Sequence, residues 1–101
     1  MSDFEPVAVA VITLRAQERL KELGATAAEA VESLRQELEL NPRLGLPKGK
    51  DRGPRGKAFM THLEARPGMP GLTVGYLYMA TPAPPGVAIT VIVPDDSAEF
   101  A

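Results

Sequence analysis

The chain of 101 residues contains no cysteine and a single histidine, His62. Without thiols there is no disulfide framework and no thiolate metal site, and one imidazole cannot build an all-histidine centre. Chemistry is left to Lys, Arg, carboxylates, hydroxyls and the backbone, and neither a metal nor another cofactor is expected. No apolar run approaches the ~20 residues of a membrane span. The opening "MSDFEP" lacks a positive n-region followed by an apolar stretch, so a cytoplasmic protein without membrane partners is expected. Gly-Lys pairs occur in "GLPKGKD" and "GPRGKAF", but neither has the spacing or the Ser/Thr of a phosphate-cradling P-loop. No serine is placed with a base and an orienter as a nucleophile requires.

What is present is an uneven charge. From Arg43 to Arg66 the balance is +5, while the rest of the chain carries −7. Localised cations attract a polyanion even on an acidic protein, because distant charges are screened over ~8 Å. The segment "NPRLGLPKGKDRGPRGK" therefore reads as a basic loop that is either a phosphate-holding surface or a solvated connection.

The order of elements follows from periodicity. The Val-rich stretch Pro6 to Ile12 suits a buried strand, and Thr13 offers an N-cap hydroxyl to a short helix with Ala16, Leu20 and Leu23 on one side. Gly24 fits the left-handed position after that helix. Thr26 and Glu29 have the spacing of a capping box for a second helix, with Ala27, Val31, Leu34 and Leu38 as its apolar stripe and Asn41-Pro42 as its stop. Its acids Glu29, Glu32, Glu37 and Glu39 read as a solvated face.

Beyond the basic loop the period becomes two. Phe59, Thr61, Leu63 and Ala65 are expected to face the core, with Met60, His62, Glu64 and Arg66 as a more polar outer row. "PGMPG" and "PAPPG" turn the chain into two further strands, "LTVGYLYMAT" and "VAITVIV". A single α+β domain over residues 1–101 is expected, in the order β-α-α-β-β-β, with a helical hairpin packed on one face of an antiparallel sheet. The other face is left partly open around His62, Glu64 and Arg66. Asp95-Asp96 reads as the start of a solvated tail.

This order, with "VITLRAQERLKELGATAAEAVESLRQELELNPRLG" leading into a basic stretch and "HLEARPGMPGLTVGYLYMA" leading into "VAITVIV", resembles the RelE/ParE superfamily of toxins from type II toxin–antitoxin systems. The resemblance implies one of two activities. RelE-like members are metal-independent endoribonucleases that cut messenger RNA on the ribosome; ParE-like members inhibit DNA gyrase; both are neutralised by a small antitoxin protein. A third outcome is a non-catalytic module that keeps the fold and binds an antitoxin. Under the ribonuclease reading, Arg66 and His62 fall at catalytic positions, His62 as general base. Lys48, Lys50, Arg52, Arg55 and Lys57 would hold phosphate and Tyr76 would stack on a base. The chain departs from the ribonuclease pattern at Thr73, where many members have arginine, and after the last strand, where many have an Arg and a Tyr and this chain has Asp95, Asp96, Glu99 and Phe100.

Overall fold

A computed structural model describes residues 7–48, 56–81 and 83–95 of the chain. In order these form strand β1 (Val9–Ile12), helices α1 (Leu14–Leu23) and α2 (Ala25–Leu40), and strands β2 (Leu46–Lys48), β3 (Lys57–Leu63), β4 (Leu72–Met79) and β5 (Gly86–Pro94). The strands make one sheet in the order β1-β5-β4-β3-β2. The fold is α+β, as expected, but the sheet is mixed and has a fifth strand. Strands β2 to β5 alternate in direction, and β5 then runs parallel to β1, with Val11 beside Ala88 and Ile12 beside Ile89. The fifth strand, β2, was hidden by Pro47 and Lys48, residues that belong to sheet edges rather than sheet centres.

Local chemistry starts and stops the helices. The Thr13 hydroxyl accepts from the Ala16 N–H at 3.3 Å and caps α1. A single glycine, Gly24, with φ of 102°, ends α1 and begins α2, a conformation that other residues rarely adopt. With so short a hinge, Thr26 already lies inside α2, and the expected capping box does not form. Its hydroxyl instead lies against Gly68, where an added Cβ would sit 2.7 Å away. The end of α2 is as expected: the Asn41 N–H donates to the Glu37 carbonyl at 2.8 Å before Pro42 stops the ladder.

One face of the sheet carries the core. Ala27, Val31, Leu34 and Leu38 of α2 and Ala16 and Leu20 of α1 pack against Phe59, Leu72, Val74, Tyr76, Val87 and Ile89. In β5 the alternation skips a residue, from Ile89 to Ile92, because a bulge opposite Gly75 and Tyr76 shifts the register. In β1 the valines do not enter the core. Ala8 and Ala10 point inward, where α2 crosses closely enough to admit only small side chains, while Val9 and Val11 are about half exposed, at 51% and 50%.

Side chains of α2 close the outer edge of β1. The Ala10 N–H donates to Glu39 Oε2 at 3.1 Å, and Arg35 Nη1 donates to the Ala10 carbonyl at 3.0 Å and to Glu39 at 3.2 Å. Arg35 also grips Glu32 with two hydrogen bonds of 2.9 and 2.7 Å, which hold the Glu32 pKa down at about 2. Two of the acids expected to be merely solvated thus secure an edge strand. Among the described residues, no helix is long and apolar enough to cross a membrane.

Candidate functional site

Strand pairing decides which side chains share the face that the helices leave uncovered. Phe59 pairs with Tyr76, and both point into the core, so Ala58, Met60 and His62 of β3 point the other way. Beside them on that face stand Thr73, Gly75 and Leu77 of β4, Val91 and Val93 of β5, Val9 and Val11 of β1, and Leu46 and Lys48 of β2. The expected polar row is confined to one corner. Most of the uncovered face is apolar.

That corner is built around His62. At the end of β3 its imidazole stands across from Thr73, while the Asp95 N–H, just past β5, donates to the Gly71 carbonyl at 2.7 Å. Gly71 has no side chain to fill the space between them. Asp95 Oδ2 therefore reaches His62 Nε2 at 2.5 Å, and a Cβ on Gly71 would lie 2.7 Å from that oxygen and 3.2 Å from the ring nitrogen. On the other side, His62 Nδ1 lies 3.4 Å from Glu64 Oε2. The hydrogen bond that His62 donates to the Asp95 carboxylate is the main cause of a raised His62 pKa; desolvation opposes it, and Glu64 adds a lesser contribution in the raising direction.

A shallow groove of about 230 Å³ opens beside this pair, between Leu44, Leu46, Met60 and Thr73, with His62 at its end. A second, of about 330 Å³, lies over the middle of the uncovered face above Gly75. Among the described residues, no group of three or more acids and histidines converges on a point where a metal could sit; Glu64 and Asp95 approach opposite nitrogens of one ring.

The expected site residues are only partly brought together. Arg66 is exposed in the turn after β3, where its backbone exchanges hydrogen bonds with Met69, and is not on the strand, which ends at Leu63. Ala65 is accordingly exposed and does not extend the core row. Lys48 shares a face with His62 but stands opposite Ala58, four residues along β3, or about 13 Å away. Lys57 opposes Tyr78 and projects from the helix-covered face, away from His62. Lys50, Arg52, Arg55 and Asp96 lie outside the described residues.

Two expectations are corrected outright. Tyr76 does not offer its ring to a base: it is 1% exposed and stacked on Phe59 at 5.5 Å between centroids. Its hydroxyl accepts the Gly45 N–H at 2.8 Å, and burial pushes its pKa up. A tyrosine two positions from another is more often core than platform, and the anchored hydroxyl is what lets this one be core. Asp95 is not part of a solvated tail but the partner of His62. Nothing local in the sequence links residues 33 apart; only the register of β3, β4 and β5 brings Asp95 opposite Gly71 and so to the imidazole.

No protein-family model, curated protein or solved structure matches the chain.

Proposed function

We propose that this chain is a toxin-fold module of the RelE/ParE kind that acts by binding a macromolecular partner, not by cutting RNA. The observation that carries the reading is the engagement of both nitrogens of His62, the sole histidine, by carboxylates. A general base must present a lone pair to the proton it removes, and an imidazole held between two acids favours the cation, which has none. The acids also place negative charge where a scissile phosphate would approach. The interior position of Tyr76 supports the same reading.

On this reading the cognate partner is a small antitoxin protein, the cellular target on the ParE-like branch is DNA gyrase, and both are met in the cytoplasm. The arrangement of a helical hairpin against one face of a sheet, entered from a first strand and followed by an antiparallel meander, supports the scaffold. Function on such a scaffold still follows from the site rather than the fold.

The concentration of Lys48, Lys50, Arg52, Arg55, Lys57 and Arg66 favours a second reading, a metal-independent endoribonuclease acting on ribosome-bound messenger RNA with cations bracing the phosphate. Tightly induced expression in a bacterium, followed by primer extension on messenger RNA, separates the two. The binding reading expects no new 5′ ends inside translated codons, with growth either unaffected or arrested with DNA damage. New 5′ ends that vanish in Arg66→Ala would establish the ribonuclease.

A further inference from the structure

We infer that the uncovered face of the sheet is the contact surface of a homodimer in which two copies of this chain pack sheet on sheet. The inference does not depend on whether the chain binds or cuts.

Size is the first ground. Strands spaced ~4.8 Å apart and rising ~3.3 Å per residue give this sheet a plane of roughly 500 Å² before side-chain relief is counted. That lies at the upper end of the ~300–600 Å² of contiguous apolar surface that monomers leave wet. With side-chain relief it approaches the ~800 Å² per partner of a stable interface. Val9, Val11, Val91, Val93, Leu77 and Met79 are spread across three neighbouring strands, so the patch is continuous.

The second ground is Gly75, in the middle of β4. Its φ is not positive, so the backbone does not require glycine there. An added Cβ would meet nothing closer than Val91 Cβ at 3.5 Å, an ordinary contact, so packing within the chain does not require it either. The missing side chain instead leaves the floor of the 330 Å³ groove open, between Ala58, Met60, Leu77, Val91 and Val93. A glycine inside a strand marks either a bulge or a place that something else approaches closely; Gly75 borders the register shift against β5 and also leaves this groove open.

Charge favours a second copy as the occupant. Among the described residues, Lys48 and His62 are the cationic side chains on this face, and both stand on β2 or β3, away from its centre. A two-fold axis can therefore lay the patch on itself without bringing like charges together in the middle. Among the described residues, a nucleic acid would find few donors there, Arg15 and Arg19 of α1 standing at the border beside Val91. Two such sheets pack ~10 Å apart with their strands about 30° from alignment, and side chains of one copy fill the groove over Gly75 of the other.

Sedimentation equilibrium of the full chain at about 10 to 100 μM tests this, with a micromolar or tighter Kd expected. Wild-type protein is expected at twice the chain mass. Val91→Lys and Leu77→Lys each place a cation in the buried centre and are expected to weaken association at least about 10-fold, with unchanged circular dichroism. Glu18→Lys, on the exposed side of α1, is expected to leave the dimer intact. Wild-type protein at the chain mass at 100 μM overturns the inference without reference to any variant, and so does a face occupied by a different protein in an otherwise monomeric chain. A dimer that persists in both folded variants also overturns it, because association then uses another surface.

Discussion

His62 meets a carboxylate at each ring nitrogen, and Gly71 provides the gap through which the closer one arrives. Because the hydrogen bond accepted by Asp95 is the larger cause of the raised pKa, its removal has the larger effect. The single histidine makes its ring protons unambiguous in a proton NMR titration. The midpoint is expected above 6.5 in the wild type, lowered most in Asp95→Asn, and lowered only slightly in Glu64→Gln, whose parent pair is longer and whose acid is almost fully exposed. Gly71→Ala is expected to lower it as well, since the new methyl group occupies the space the pair uses. A wild-type midpoint at or below 6.5 would remove the cationic reading of this site. The sign of the linkage follows: a raised folded pKa stabilises the fold fully below ~6.5, and that contribution fades as pH rises through the folded midpoint. The position of His62 on the uncovered face was legible in the alternation of "KAFMTHL". Its partner was not, because it is reached through strand register and not through spacing.

At the scale of the element, α2 does more than supply a core stripe. Its apolar positions were legible from the 3.6-residue period, and each of Ala27, Val31, Leu34 and Leu38 is buried. The use of its polar side was not legible, because Arg35, Glu32 and Glu39 are spaced like any solvated i, i+3 and i, i+4 set. What distinguishes them is an edge strand alongside with unpaired backbone groups, and those groups appear only in the fold. Arg35→Ala leaves the Ala10 carbonyl without its donor and breaks both acid contacts, so a loss of about 1–2 kcal/mol at neutral pH is expected from urea denaturation. The pH dependence has a definite sign. The depressed pKa of Glu32 means that its contribution is present above ~4.5 and is lost as pH falls toward about 2. Glu32 is nearly half exposed, so solvent screening makes the loss smaller than the shift alone implies. Wild-type and Arg35→Ala stabilities are therefore expected to converge between pH 4.5 and 2; a constant difference across that range would mean that Arg35 acts through packing and not through Glu32.

At the scale of the whole fold, the described residues cover the five-stranded sheet on one side only. The α+β class, the helical hairpin and the last three strands were legible because each rests on a strong local period or a turn rich in Gly and Pro. The parallel placement of β1 against β5 and the inward alanines of β1 were not, because they depend on how closely α2 crosses the sheet. One-sided coverage makes stability one-sided too. Leu38 and Val74 are fully buried between the layers, and truncating either to alanine removes methyl groups and leaves a cavity, an expected cost of about 2–4 kcal/mol for Leu38→Ala and somewhat less for Val74→Ala. On the other side, Val91 and Val93 are about half exposed in the single chain, and Val93→Thr exchanges a methyl for a hydroxyl that still meets water. Its expected cost is under about 0.5 kcal/mol in dilute protein. At concentrations where two copies associate, the same substitution should cost more, because the face is then dry and the hydroxyl must be desolvated. Urea unfolding of Val93→Thr at two protein concentrations a hundredfold apart measures this directly: a penalty that grows with concentration places Val93 inside an interface, and a constant penalty leaves the uncovered face in water.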